Sequence, residues 1–180
     1  MSEFEDALED EIEPFDDFDE EVPDLTNEVD FAVAAWHEDG RWTLEILPDP
    51  FNIEKIISRL KSQRTNGGAI SLISIDEEFF ILIRVLGTHI SMLLSDATTA
   101  FDYPVASELL DAADVAMPDE DDDPMPAGHL EILADLGMNG MEISALCADA
   151  ELFPEEQLEA IASRLGFGEE FSELLGYDRN

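Results

Sequence analysis

Apolar and polar positions alternate with a period of two over several short stretches of this chain. Val29, Phe31, Val33 and Ala35 alternate, and Trp42, Leu44 and Ile46 alternate again. Between them lies His37-Glu38-Asp39-Gly40-Arg41, whose Asp39-Gly40 is a strong tight-turn signal, so the two runs predict a β-hairpin. Three more strand-like runs follow: Ala69 to Ile75, Phe79 to Val85 and His89 to Leu94. Asp76-Glu77-Glu78 and Leu86-Gly87-Thr88 separate them and are short enough for antiparallel hairpins. In the middle run Phe79, Ile81, Ile83 and Val85 point one way and Phe80 and Leu82 the other. Both faces are apolar, which predicts a central strand covered on both sides.

Elsewhere the period becomes helical. Asp49-Pro50 reads as a capping acid with proline at the first helical position, opening a helix over 51–65. Ile53, Ile56, Ile57 and Leu60 give it one apolar stripe, and Asn66-Gly67-Gly68 stops it. Ser95-Asp96 ends the strands, and Pro104 starts a helix with Val105, Leu109, Leu110 and Ala113 inward. Met117 to Pro126 reads as an exposed linker. Beyond it the pattern predicts helices over His129 to Leu136, Met141 to Ala148 and from Pro154 to a stop at Gly166, then a last turn with Phe171, Leu174 and Leu175. The expected fold is α+β: an antiparallel sheet of about five strands in the order β-β-α-β-β-β-α, then a small C-terminal helical bundle. The expected organisation is an acidic head over 1–28, an α+β domain over 29–113, an acidic linker over 114–128 and a helical subdomain over 129–180. A subdomain of about fifty residues has a marginal core alone and must lean on the sheet or on a partner.

Charge sharpens this division. The 180 residues carry a formal charge of −37, with 8 basic against 45 acidic residues. Residues 1–30 hold fifteen acids and no base, and residues 114–128 hold six acids and no base, whereas 31–113 is nearly ordinary with twelve acids and six bases. Such a chain is repelled by phosphate backbones and anionic lipid, so direct nucleic-acid and membrane binding are disfavoured and a basic protein partner is favoured. The single cysteine, Cys147, excludes an intrachain disulfide and a thiolate zinc cluster. No signal-peptide pattern opens the chain and no apolar run reaches the roughly 20 residues that span a bilayer, so a cytoplasmic protein is expected.

The sequence holds no recognisable catalytic constellation. Phosphate-cradling glycine motifs and a Gly-x-Ser-x-Gly elbow are missing. His37, His89 and His129 sit in unrelated segments without a second ligand at metal spacing, and Cys147 beside Leu146 reads as a small buried hydrophobe. Asp119 to Asp123 lacks the glycine and terminal glutamate of a calcium loop and reads as solvated linker. No catalytic residue, metal site or cofactor is therefore expected. Lys55, Arg59, Lys61 and Arg64 fall on the 51–65 helix, where cations complement the helix dipole or receive an acidic segment. The head carries the sharpest signal. Phe4, Leu8 and Ile12 are spaced on one face of a short helix, Pro14 breaks it, and Phe15 and Phe18 follow. Too acidic and too poor in apolar surface to fold alone, this segment is expected to be disordered and to bind a partner through those five side chains, the alternative being a solubilising arm whose aromatics have no partner.

From Phe31 to Leu175 the order of pieces resembles the bacterial family of tRNA adenosine deaminase-associated proteins. The resemblance is carried by Phe31-Ala32-Val33-Ala34-Ala35-Trp36, Asp39-Gly40-Arg41-Trp42, Ile83-Arg84-Val85, and above all Leu94-Ser95-Asp96 with Asp102-Tyr103-Pro104-Val105-Ala106. Leu133-Ala134-Asp135-Leu136-Gly137 and Leu146-Cys147 complete it. It implies association with the enzyme that converts adenosine to inosine in tRNA, and no deamination by this chain. The two-part zinc-deaminase signature, His-x-Glu with Pro-Cys-x-x-Cys, is absent. Asp96, Asp102, Tyr103 and Pro104 match the most distinctive stretch, with a structural role favoured: a turn cap, a buried ring, a helix start. The function expected is that of a non-catalytic acidic accessory protein binding a basic partner such as the tRNA adenosine deaminase. The alternatives are an enzyme of unrecognised type using clustered carboxylates with a divalent cation, and a general nucleic-acid mimic.

Overall fold

The computed structural model describes residues 30–63, 67–149 and 151–176. Six antiparallel strands form one sheet: β1 (Phe31–Glu38), β2 (Arg41–Leu47), β3 (Ala69–Ile75), β4 (Phe79–Leu86), β5 (His89–Leu94) and β6 (Ala127–Gly128), in the spatial order β2-β1-β3-β4-β5-β6. The α+β architecture and the five long strands agree with the period-two reading. The sixth strand lies where a linker was expected. Ala127 and Gly128 pair with Leu94 and Leu93, and the Met125 carbonyl accepts from the Ala97 N–H at 2.7 Å. Gly128 is required there: its φ is +108°, and a Cβ would run into the Met92 carbonyl.

Helices cover both faces of the sheet. On one face α1 (Ile53–Lys61) and α2 (Pro104–Ala112) bury Ile56, Leu60, Val105 and Leu109 against Ala34, Ile73, Ile81, Ile83 and Leu94. On the other, α3 (Gly140–Cys147), α4 (Pro154–Leu165) and α5 (Gly168–Leu175) bury Ile143, Leu158, Ile161 and Phe171, together with Phe167 of the α4–α5 connection, against Val33, Ile70, Leu72, Phe80 and Leu82. Residues Phe79 to Val85 of β4 are buried throughout, odd positions in the first core and Phe80 and Leu82 in the second, as the doubly apolar pattern predicts. The C-terminal helices thus complete the sheet's second core.

Two helix expectations are corrected. The helix over 51–65 is shorter at both ends. Asp49 accepts the Phe51 N–H in a preceding turn, and Asn52 is the cap, its side chain accepting the Lys55 N–H at 3.0 Å. The helix stops at Lys61, before the Asn66-Gly67-Gly68 signal. Residues 129–136 form turns and a short 3-10 turn at Ala134–Leu136 in place of an α-helix. Arg84 is the physical reason, because it takes the Ile132 carbonyl as an acceptor at 2.9 Å.

Candidate protein-interaction site

Antiparallel pairing sends the connections of this sheet to two ends of unlike charge. At the end where β1 and β4 begin and β2, β3 and β5 finish lie residues 30, 48–52, 76–78 and 95–103. These hold Asp30, Asp49, Asp76, Glu77, Glu78, Asp96 and Asp102, with no lysine or arginine. At the opposite end the β1–β2 and β4–β5 turns and the described residues between α1 and β3 hold a single acid, Asp39, and the β6–α3 connection adds Glu131 and Asp135, the latter paired with Arg84. The α3–α4 connection adds to the first end. Burial and then the Glu77 charge raise the Glu155 carboxyl at the start of α4, and burial followed by Asp96 pushes the Cys147 thiol up to about 12.

The β3–β4 turn is the centre of this end. Asp76 and Glu77 both adopt φ of 55°, a left-handed conformation that glycine tolerates and these residues resist. Three contacts hold the turn. The Glu78 N–H donates to the Ile75 carbonyl at 2.9 Å, the Asp76 N–H donates to Asp30 Oδ1 at 2.5 Å, and the Tyr103 hydroxyl donates to Asp76 Oδ2 at 2.6 Å. The Tyr103 ring meets Phe79 edge-on at 5.0 Å between centroids. The hydrogen bond to Asp76 favours the protonated phenol, and burial adds to it, so the Tyr103 pKa rises to about 12.

The residues of the distinctive 94–106 stretch therefore converge here. Asp96 caps the 3-10 turn Ala97–Phe101 by accepting the Thr98 N–H at 2.9 Å. Asp102 ends that turn, exposed, and Pro104 occupies the first turn of α2. Beside them an open cleft of about 390 Å³ runs between the start of α1 and α2, lined by Asp49, Phe51, Asn52, Glu54 and Glu108. Its lining has three carboxylates and no cation, and Phe51 is 46% exposed. Glu108 also borders a wider groove of about 560 Å³ along α2 toward Met117. An acid-rimmed cleft with one accessible aromatic suits the apolar stem and charged head of a lysine or arginine.

Phe4, Leu8, Ile12, Phe15 and Phe18 lie outside the described residues. Arg59 pairs with Glu45 on β2 at 2.5 Å, which occupies one of the cations read on α1. His89 and His129 come together, their rings 6.0 Å apart. His129-Leu130-Glu131 alone has the His-x-Glu spacing, but Glu131 accepts the Gly140 N–H at 3.2 Å and the chain has one cysteine. Among the described residues no group of three or more His, Cys, Asp or Glu side chains could hold a metal ion, and no helix is long and apolar enough to cross a membrane. Sequence reasoning treated Asp76-Glu77-Glu78 as a connector and did not single out Phe51 or Glu108. Their proximity depends on which strand ends share a side, and only the sheet order supplies that.

Over residues 30–168 the chain matches the family described as Rv3753c-like tRNA adenosine deaminase-associated protein. It is similar to Protein Rv3753c of Mycobacterium tuberculosis (strain ATCC 25618 / H37Rv), with 33% identity over 150 residues that cover 81% of this chain and 87% of that protein. No solved structure matches.

Proposed function

Because the chain belongs to the Rv3753c-like tRNA adenosine deaminase-associated protein family, we propose that it is a non-catalytic accessory protein whose carboxylate-rich end receives a basic protein partner, the tRNA adenosine deaminase first among candidates. The observation that carries this reading is the cleft lined by Asp49, Glu54 and Glu108, set on the end of the sheet whose connections are acidic throughout. An enzyme that handles tRNA presents positive charge to its substrate, and this end complements such a surface. Asp30, the residue to which the head is joined, lies at this same end. Its fifteen acids up to residue 30 add to the long-range attraction, and Phe4, Leu8, Ile12, Phe15 and Phe18 supply apolar anchors to the partner.

Calorimetric titration of the full chain with the deaminase tests this. A complex that weakens as salt rises is expected, because exposed charges lose reach beyond a Debye length of about 10 Å at 0.1 M. The double change Glu54→Lys with Glu108→Lys should weaken it by roughly tenfold, about 1.4 kcal/mol. Absence of a salt-sensitive complex removes the deaminase as partner. A complex indifferent to both substitutions removes the cleft. Capture of a broad set of basic proteins with equal affinity would favour nucleic-acid mimicry.

A further inference from the structure

Among the described residues the outer edge of β2 is the sheet's long unpaired border, since β2 ends the strand order and the opposite border strand, β6, has two residues. Its hydrogen-bonding parity follows from the hairpin. Asp39 and Gly40 have φ of 54° and 83°, the signs of a two-residue type I′ turn, which makes Glu38 and Arg41 a hydrogen-bonded pair. Alternation then directs the N–H and C=O groups of Arg41, Thr43, Glu45 and Leu47 toward β1, and those of Trp42, Leu44 and Ile46 outward. The three outward-facing residues are the apolar ones, and their side chains share the C-terminal helical face. Ile46 is 51% exposed there, while Trp42 and Leu44 are half-buried against the second core. Natural edges of this length are usually blunted by proline, a bulge or inward charge; β2 has no proline and an unbroken register with β1, and its inward charge, Glu45, is neutralised by Arg59.

We infer that this edge pairs with β2 of a second copy of the chain, antiparallel about a two-fold axis through Leu44. The self-complementary row argues for a second copy over any other occupant. With Leu44 opposite Leu44 of the second copy, Trp42 falls opposite Ile46, and every outward N–H and C=O of the three residues is paired. On the reverse face Thr43 falls opposite Glu45, and Arg41 lies diagonal to Glu45 of the second copy, an oppositely charged pair. The edge is electrostatically mild in an otherwise acidic protein, because Glu45 is already balanced by Arg59 at 2.5 Å. This inference is independent of the basic partner, which uses the carboxylate-rich end.

Sedimentation equilibrium of the full chain over a range of concentrations and salt is the test. The mass should rise toward twice 20.0 kDa, and the rise should strengthen with salt, as screening reduces repulsion between two chains of −37 each. The salt response is opposite in sign to that of the basic complex, so the two ideas fail separately. Ile46→Lys and, separately, Ile46→Pro should leave a folded monomer by circular dichroism, since the Ile46 N–H has no role within the hairpin. In a Cys147→Ser chain, Leu44→Cys should cross-link to its own copy on mild oxidation, because directly opposed hydrogen-bonded residues stand about 5.5 Å apart at Cα. A monomer at every concentration and salt overturns the inference. So does a dimer that persists in Ile46→Lys, or one in which Leu44→Cys does not cross-link.

Discussion

The Tyr103 hydroxyl lies 2.6 Å from Asp76 Oδ2 and donates to it, tying the start of α2 to a left-handed turn 27 positions earlier. That bond ranks first among the causes that push Tyr103 up to about 12 from its ordinary 10.0. A pKa raised in the folded state contributes stability that is fully present below pH 10 and is lost as the pH climbs through about 12. Tyr103→Phe should therefore cost about 1 kcal/mol at neutral pH, the usual worth of one hydrogen bond. In urea titrations the midpoints of the two proteins should draw together above pH 10.

The same turn holds a second expectation. Glu77 sits at φ of 55°, where a side chain costs about 1–2 kcal/mol relative to glycine. Glu77→Gly removes that cost and adds some unfolded-state entropy, leaving the fold more stable by about 0.5–1 kcal/mol. If the turn serves binding, this stabilised variant should bind the basic partner more weakly, since it also removes one carboxylate. Thermal denaturation and calorimetry on the same preparation read both effects.

Arg84 makes the complementary connection through the second core. Its guanidinium, only 6% exposed, donates to both Asp135 oxygens and to the carbonyls of Ile132 and Gly67. The Arg84 hydrogen bond holds the Asp135 carboxyl below its ordinary value of 3.8. Its contribution is present above that value and lost as the pH falls further. Asp135 is itself 61% exposed, so most of the cost of Asp135→Asn comes from leaving Arg84 less well paired. About 1–2 kcal/mol is expected by chemical denaturation at neutral pH, with the deficit shrinking in acid.

Cys147 should be slow to alkylate. Burial pushes its thiol up to about 12, with Asp96 adding to the shift, so little thiolate exists at neutral pH. Iodoacetamide should label it slowly in native buffer and rapidly in denaturant, followed by mass spectrometry.

The strands were legible where a period-two pattern leaves little ambiguity, as from Arg41 to Leu47, and where a short apolar run is bounded by turn signals, as from Phe79 to Leu86. The small size of the helical tail pointed to its leaning on the sheet or on a partner, and its helices pack on the sheet's second face. What escaped were features decided by distant groups. Residues 129–136 have helical composition, yet Arg84 draws off the Ile132 carbonyl and Gly137 turns left-handed at φ 108°. Asp49-Pro50 has the chemistry of a helix start, but Asn52 takes the cap. Two residues, Ala127 and Gly128, are too few to show any period. At the candidate site Asp96, Tyr103 and Pro104 were readable as motif. Asp76, Phe51 and Glu108 were not, because strand order brings them to the same end.

The excursion from Ala113 to Pro126 leaves the fold and returns to it at fixed anchors. Val115 donates to the Leu110 carbonyl at 2.8 Å where it departs, and Met125 receives the Ala97 N–H at 2.7 Å where it rejoins. Doubling the length of a flexible loop costs only about 0.6 kcal/mol of closure entropy. Insertions spliced between Pro118 and Asp123 should thus leave the β5 border in register, making this the natural graft point for a fluorophore or affinity tag.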